Sequence, residues 1–135
     1  MRHEPTSCDV LIKLLGAPHR DDLIGSALRL AHALLGRGAR VQVWACGDAT
    51  RLTSAALGDE KPIDVTDHTT RYPSTAAVVR DLLAAHPDRL RWYVCRFCCR
   101  DRAAPEQIPQ VVVRSPGAFW RHVEVSGKVL AVGAV

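Results

Sequence analysis

Three cysteines within five positions form the most unusual local pattern in the sequence: Cys95, Cys98 and Cys99. Cysteine acts as a nucleophile in its thiolate form, and nearby guanidinium groups or the amino end of a helix favour that form. Arginines are interleaved with the cysteines, at Arg96, Arg100 and Arg102. We therefore predict an exposed reactive-thiol site with these arginines as binding groups. Cys95 is the candidate nucleophile, and Cys98 or Cys99 would resolve a disulfide or accept sulfur from it.

Two other kinds of chemistry fit the same cysteines. Cys95 and Cys98 have the two-residue spacing of a zinc site, with Cys99 as an additional candidate ligand and Cys46 with His19 as a second pair. The same spacing after a strand is typical of thioredoxin-type redox proteins, although no Trp precedes the first cysteine and no Gly-Pro lies between the two. Burial as small packing residues is the remaining alternative. The leading interpretation assigns no metal ligand and no cofactor.

The ends of the predicted strands indicate where the remaining cysteines and His19 lie. Because ligands of open α/β sheets bind beyond the carboxyl ends of the strands, Cys46 and His19 should share an edge with Cys95, and Cys8 should lie opposite. We expect Cys46 and Cys8 to be inert packing residues. His19 is a candidate base for a thiol and a candidate substrate-binding residue. The helical histidines are expected at the surface: His32, His86 and His122.

The first half of the chain predicts a β-α-β unit. Residues 9–15 form a short apolar run that predicts a buried strand, and residues 23–35 repeat apolar side chains at helical spacing. Asp21 or Asp22 is a candidate cap for that helix. Residues 40–45 predict a second strand, rich in β-branched and aromatic side chains. A strand, a helix and a strand in this order normally place the two strands in parallel.

The middle of the chain predicts one short helix, one long loop and one long helix. Residues 50–57 are expected to form the short helix, and residues 58–73 the loop. Ser74 is a candidate cap for a helix that ends near residue 86, before a proline. The predicted buried stripe of this helix comprises Ala77, Val78, Leu82 and Ala85.

The last third alternates between strands and helices. Residues 90–94 predict a third strand closed by Cys95, and residues 96–104 a helical turn. Residues 111–113 predict a fourth strand, and residues 128–132 a fifth. Between them, Ser115 followed by proline predicts a capped helix carrying Phe119 and Trp120. The whole pattern predicts an α/β fold, a three-layer α/β/α domain with a mostly parallel five-stranded sheet.

Composition limits the function classes. The length of 135 residues and 47% hydrophobic content predict one folded domain over residues 1–135. No apolar run is long enough to span a bilayer, and residues 1–9 lack the apolar middle of a secretory signal, so we expect a cytoplasmic protein without membrane contact. We therefore interpret its five cysteines as thiols, metal ligands or redox groups and not as structural disulfides. The net charge of +4 comes without a nucleic-acid motif, so no nucleic-acid partner is expected.

The order of these pieces resembles the DsrE/DsrF-like sulfur-relay family. The resemblance rests on residues 10–15 (VLIKLL), the helix at 23–35, residues 38–45 (GARVQVWA), the strand WYVC at 92–95, and the tail at 110–132. It implies an α/β/α fold assembled as trimers or hexamers. It also implies that Cys95 carries a persulfide, whose sulfur passes between this protein and a donor or acceptor protein. After Cys95 the chain departs from the family, with extra thiols, and with Ala103 where the family has glycine.

Overall fold

A computed structural model describes residues 4–19 and 22–133, and in that part of the chain five strands form one sheet. In chain order they are β1 (Cys8–Leu14), β2 (Val41–Ala45), β3 (Leu90–Cys95), β4 (Val112–Arg114) and β5 (Ser126–Val132). Their spatial order is β4-β3-β2-β1-β5, and each neighbouring pair is parallel. The predicted five-stranded sheet is therefore confirmed, and it is parallel throughout.

Helices cover both faces of this sheet and give three layers. They are α1 (Asp22–Gly36), α2 (Thr75–Ala85), α3 (Arg96–Asp101) and α4 (Phe119–Glu124), with 3-10 helices at Gly47–Thr53, Ala55–Leu57 and Pro116–Ala118. The larger apolar core lies on the side of α1 and α2, where Leu35 and Val79 pack on Ile12 and Trp92. The smaller core lies on the α4 side and includes Trp44. The three-layer α/β/α prediction is thus confirmed.

The carboxyl edge of the sheet holds the segments that matter below. Gly47 begins the 3-10 helix directly after β2 with a φ of 56°, a left-handed conformation that glycine adopts without strain. This 3-10 helix packs against α3, which begins directly after β3. The segments that follow the neighbouring parallel strands β2 and β3 therefore lie against each other at the carboxyl edge of the sheet.

Several sequence expectations need correction. His122 is 2% exposed and belongs to the buried part of α4, because its ring packs against aromatic side chains of the sheet. The predicted stripe of α2 is right in part, because Ala77 is buried and Leu82 packs against the core, but Val79 is buried instead of Val78 and Ala85 is exposed. The predicted cap is confirmed, because Ser74 accepts the N–H of Ala77. The segment after β2 is 3-10 and not α-helical.

Other expectations at the helix ends have mixed outcomes. Ser115 makes no capping hydrogen bond, and Pro116 begins a 3-10 helix instead. Asp22 begins α1, while Asp21 and the first three residues of the chain lie outside the described residues. The long loop over residues 58–73 is confirmed, with isolated bridges alone. Among the described helices, none is long and apolar enough to cross a membrane.

Candidate functional site

Cys95 is the last residue of β3 and directly precedes α3. Its side chain belongs to the smaller core on the α4 side, and the residue is 2% exposed. The predicted strand-to-helix corner is confirmed, but the predicted exposure of Cys95 is wrong. Cys98 is half-buried on the first turn of α3, where Phe97 beside it is 66% exposed. Cys98 is therefore the thiol of this pair that solvent reaches.

Cys46 is the third member of a cluster of thiols with Cys95 and Cys98. It follows β2, where its backbone N–H donates to the carbonyl of Leu14 at 3.0 Å. The Sγ atoms of Cys46, Cys95 and Cys98 all lie within 4.8 Å of one another. The shared edge of Cys46 and Cys95 is as predicted, but the leading interpretation had Cys46 as an inert packing residue and the zinc alternative paired it with His19. The available signal was that two adjacent parallel strands are each followed or closed by a cysteine.

Cys99 does not join this three-thiol cluster of Cys46, Cys95 and Cys98. It is buried in the larger core, on the side of the sheet that packs against α1 and α2, together with Ala49 and Leu52. Consecutive residues on a helix point about 100° apart, which sends Cys98 and Cys99 to different surroundings. Of the two thiols predicted to act with Cys95, the geometry brings Cys98 to it and leaves Cys99 apart.

Burial keeps the Cys46 and Cys95 thiols protonated. Desolvation raises the pKa of Cys46 to about 11, against the opposing effect of the Trp44 indole N–H, which donates to its Sγ at 3.0 Å. Desolvation also raises the pKa of Cys95, while the backbone N–H groups of Cys98 and Phe97 lower it. The predicted support from the amino end of a helix is therefore present, but burial outweighs it. These thiols are mostly neutral near pH 7.

The arginines lie differently from the prediction. Arg96 and Arg100 are exposed, and none of the described arginines is among the main influences on the Cys95 pKa. Arg102 donates from Nη1 to a carboxylate oxygen of Asp48 at 3.0 Å, and its Nε lies 3.3 Å from Asp101. Arg102 thereby connects the end of α3 to the segment after Cys46.

His19 lies in a separate surface cavity of about 520 Å³. Its Nε2 accepts the backbone N–H of Thr75 at the start of α2, at 3.2 Å. Burial, with a smaller effect of the Lys61 charge, lowers the pKa of His19. Asp22 and Tyr72 line the same cavity, and none of the described cysteines does. The structure thus does not bring His19 to the thiols that it was predicted to serve.

Comparison with known proteins supports the fold. No protein-family model matches the chain, and no curated protein matches it. Among solved structures, the crystal structure of the ychN protein from E. coli is similar, with a TM-score of 0.73 and 20% sequence identity. The match covers 91% of this chain and 97% of that one. At this identity the likeness shows the fold alone, which agrees with the α/β/α architecture that the resemblance to the DsrE/DsrF-like family implied.

Proposed function

We propose that this protein is a sulfur carrier that holds sulfane sulfur as a persulfide on Cys95. The observation that supports this function is the approach of the Cys46, Cys95 and Cys98 sulfurs to within 4.8 Å. They lie at the carboxyl edge of a parallel sheet, where ligands of open α/β folds bind. Fold likeness alone does not assign an activity, so the proposal depends on this cluster.

The difference in burial between the thiols gives them different roles. Cys95 is buried and Cys98 is half-buried beside the exposed Phe97, so a partner's sulfur reaches Cys98 before Cys95. We assign to Cys98 the exchange with the donor or acceptor protein and to Cys95 the storage of the sulfur. A buried persulfide is shielded from solvent reductants. Cys99 has no role in this scheme, because it packs in the opposite core.

The transfer needs no external oxidant. The thiolate of Cys98 attacks the outer sulfur of a donor persulfide, a new S–S bond forms, and the donor leaves as a thiolate. The Cys95 thiolate then attacks that outer sulfur and releases Cys98. Attack of Cys98 on the inner sulfur of the Cys95 persulfide would instead give a Cys95–Cys98 disulfide and release hydrosulfide. Because the pKa of Cys95 is raised, loading should accelerate with pH as the thiolate fraction grows.

Intact-mass measurement tests the proposal. Reduced protein is treated with a low-molecular-weight persulfide, measured, and measured again after a reductant. We expect an added mass of one sulfur atom that the reductant removes. In Cys95→Ser the sulfur should stay on the half-buried Cys98 and be removed by the reductant faster than from the parent, and in Cys98→Ser the adduct should form slowly. Cys99→Ser is the matched control, because it removes a neighbouring thiol outside the cluster, and it should load like the parent.

Two results would contradict the sulfur-carrier proposal. A parent protein that takes no sulfur, with all five thiols shown to be reduced, would overturn the proposal. So would an adduct that resists the reductant in Cys95→Ser as well as in the parent and that disappears in Cys99→Ser, because it would place the carrier on the other face of the sheet.

A further inference from the structure

We propose that Cys46, Cys95 and Cys98 form a three-coordinate site for a soft, thiophilic metal ion, with Cu(I) as the best-fitting class. This inference does not depend on sulfur transfer. It differs from the zinc alternative drawn from sequence, which added Cys99 or a Cys46–His19 pair, because the geometry brings Cys46 to Cys95 and Cys98 and leaves Cys99 and His19 apart.

The spacing of the sulfurs fits one bound ion. Three sulfurs at metal–sulfur distances of about 2.3 Å in one plane lie about 4 Å apart. The three Sγ atoms lie within 4.8 Å of one another without any ion, so closure requires shifts of less than about 1 Å per sulfur. Cys98 sits on a surface turn, and its side chain can supply much of that movement.

The donor set selects the ion. Among the described histidines, cysteines and carboxylates, no fourth residue joins the group. Thiolate sulfur suits both zinc and Cu(I), but zinc in structural sites takes four ligands, so a set of three thiolates favours Cu(I). The surroundings are apolar, with Trp44 and Ala118 in the same core and Phe119 packed against it. This shell covers the cluster on its core side, and the half-buried Cys98 leaves the other side open for the ion to enter.

Groups around the sulfurs can stabilise the charge that binding creates. One Cu(I) displaces three thiol protons, so the site gains two net negative charges with no change in oxidation state. The Trp44 indole N–H already donates to the Cys46 sulfur at 3.0 Å. The Lys13 charge acts on Cys46, and Lys13 Nζ lies 5.3 Å from the centre of the Phe119 ring. Donors of this kind around metal ligands tune affinity.

Anaerobic titration of the reduced full chain with Cu(I) against a coloured competing chelator tests the proposal. We expect one tightly bound ion per chain, with protons released on binding. Cys46→Ser and Cys98→Ser should each weaken binding at least about tenfold. The controls Cys99→Ser and Cys8→Ser should bind like the parent, because both thiols lie outside the cluster. X-ray absorption of the loaded protein should show sulfur neighbours alone.

Three results would overturn the site. They are the absence of competitive Cu(I) binding, binding unchanged in Cys46→Ser, and a bound ion with an oxygen or nitrogen neighbour. Persulfide loading is measured separately by mass. A chain that binds Cu(I) and takes no sulfur would overturn the carrier proposal alone, and a chain that takes sulfur and binds no Cu(I) would overturn the metal site alone.

Discussion

His122 shows how one buried polar contact determines which face of a short helix is buried. Its Nδ1 lies 3.0 Å from Oε1 of Gln42, whose Nε2 donates to the carbonyl of Thr6 at 2.7 Å. The amide nitrogen is committed to Thr6, so the histidine is the donor in the first bond. The ring also packs 4.3 Å from Tyr93, centre to centre. These contacts bury His122, which the helical pattern of the sequence predicts at the surface.

The buried ring should make stability depend on pH. Desolvation, with smaller effects of Arg114 and Arg121, lowers the pKa of His122 to about 4. The unfolded chain, with an ordinary histidine pKa near 6.5, then binds more protons between pH 4 and 6.5. The stabilisation is complete above that range and is lost as the pH falls through it. We expect the free energy of unfolding to fall by about 2 kcal/mol between pH 7 and pH 5 from this residue.

Urea unfolding at both pH values measures this effect. His122→Gln keeps a donor for Gln42 but cannot titrate, so its loss of stability between pH 7 and pH 5 should be smaller by about 2 kcal/mol. His32→Gln is the matched control, because His32 is exposed on α1, and it should retain the parent's pH dependence. An unchanged pH dependence in His122→Gln would show that this histidine does not titrate differently in the folded state.

The cysteines mark the limit of what residue types and spacing can predict. Cys95 and Cys98 were found because they are close in sequence, and their place at a strand-to-helix corner follows from the pattern. Cys46 lies about fifty residues away, and its inclusion depends on β2 and β3 being neighbours. Thiolate stabilisation by the arginines was predicted wrongly, because charge in sequence does not report burial, and burial dominates the Cys95 pKa.

At the scale of the elements, the turn that follows α3 holds an alanine, Ala103, in a backbone conformation that is unfavourable for any residue with a side chain. Ala103 has a φ of 52°, in the left-handed region, where a side chain costs about 1–2 kcal/mol. The turn is held by the N–H of Ala104, which donates to the carbonyl of Cys99 at 2.7 Å. Glycine is the usual residue at this point of a helix end. The strained turn thus lies directly after the helix that carries Cys98.

Ala103→Gly should therefore stabilise the protein. Relief of the left-handed strain outweighs the added flexibility of glycine in the unfolded chain, so we expect a gain of about 0.5–1 kcal/mol in the free energy of unfolding. Urea unfolding of both proteins measures the gain. Ala33→Gly, the same change at an exposed position inside α1, should instead destabilise by about 1 kcal/mol. A loss of stability in both variants would contradict the strain at Ala103.

Most elements could be predicted because their patterns are local. The strands and the two long helices lie within two or three residues of their predicted bounds, since alternation, helical spacing and caps such as Ser74 act over a few positions. Short elements were less predictable. The segment after β2 is 3-10, and the inward side of α4 is set by the contacts of His122 with the sheet. The conformation and the buried face of such short elements depend on tertiary packing, which a few residues of local sequence do not determine.

At the scale of the whole molecule, β5 is a strand whose apolar side chains are left partly exposed. It lies at one edge of the sheet, where Val129 is 42% exposed and Leu130 is 40% exposed. The two are paired with Leu11 and Ile12 of β1, which face opposite cores. Apolar side chains on both faces of β5 are therefore uncovered. An exposed apolar edge strand is an unfavourable feature that natural proteins commonly cover.

We expect copies of this chain to cover that edge, in the trimer or hexamer that the resemblance to the DsrE/DsrF-like family implies. Light scattering should then give a mass of three or six times 14.8 kDa. Leu130→Lys should lower that mass, because a charge cannot be buried unpaired in an apolar interface. Ile63→Lys is the matched control, because it replaces an exposed apolar residue of the long loop by the same charge, and it should leave the mass of the assembly unaltered. A parent protein of single-chain mass at micromolar concentration would contradict the assembly, and an oligomer unaffected by Leu130→Lys would place its interface away from β5.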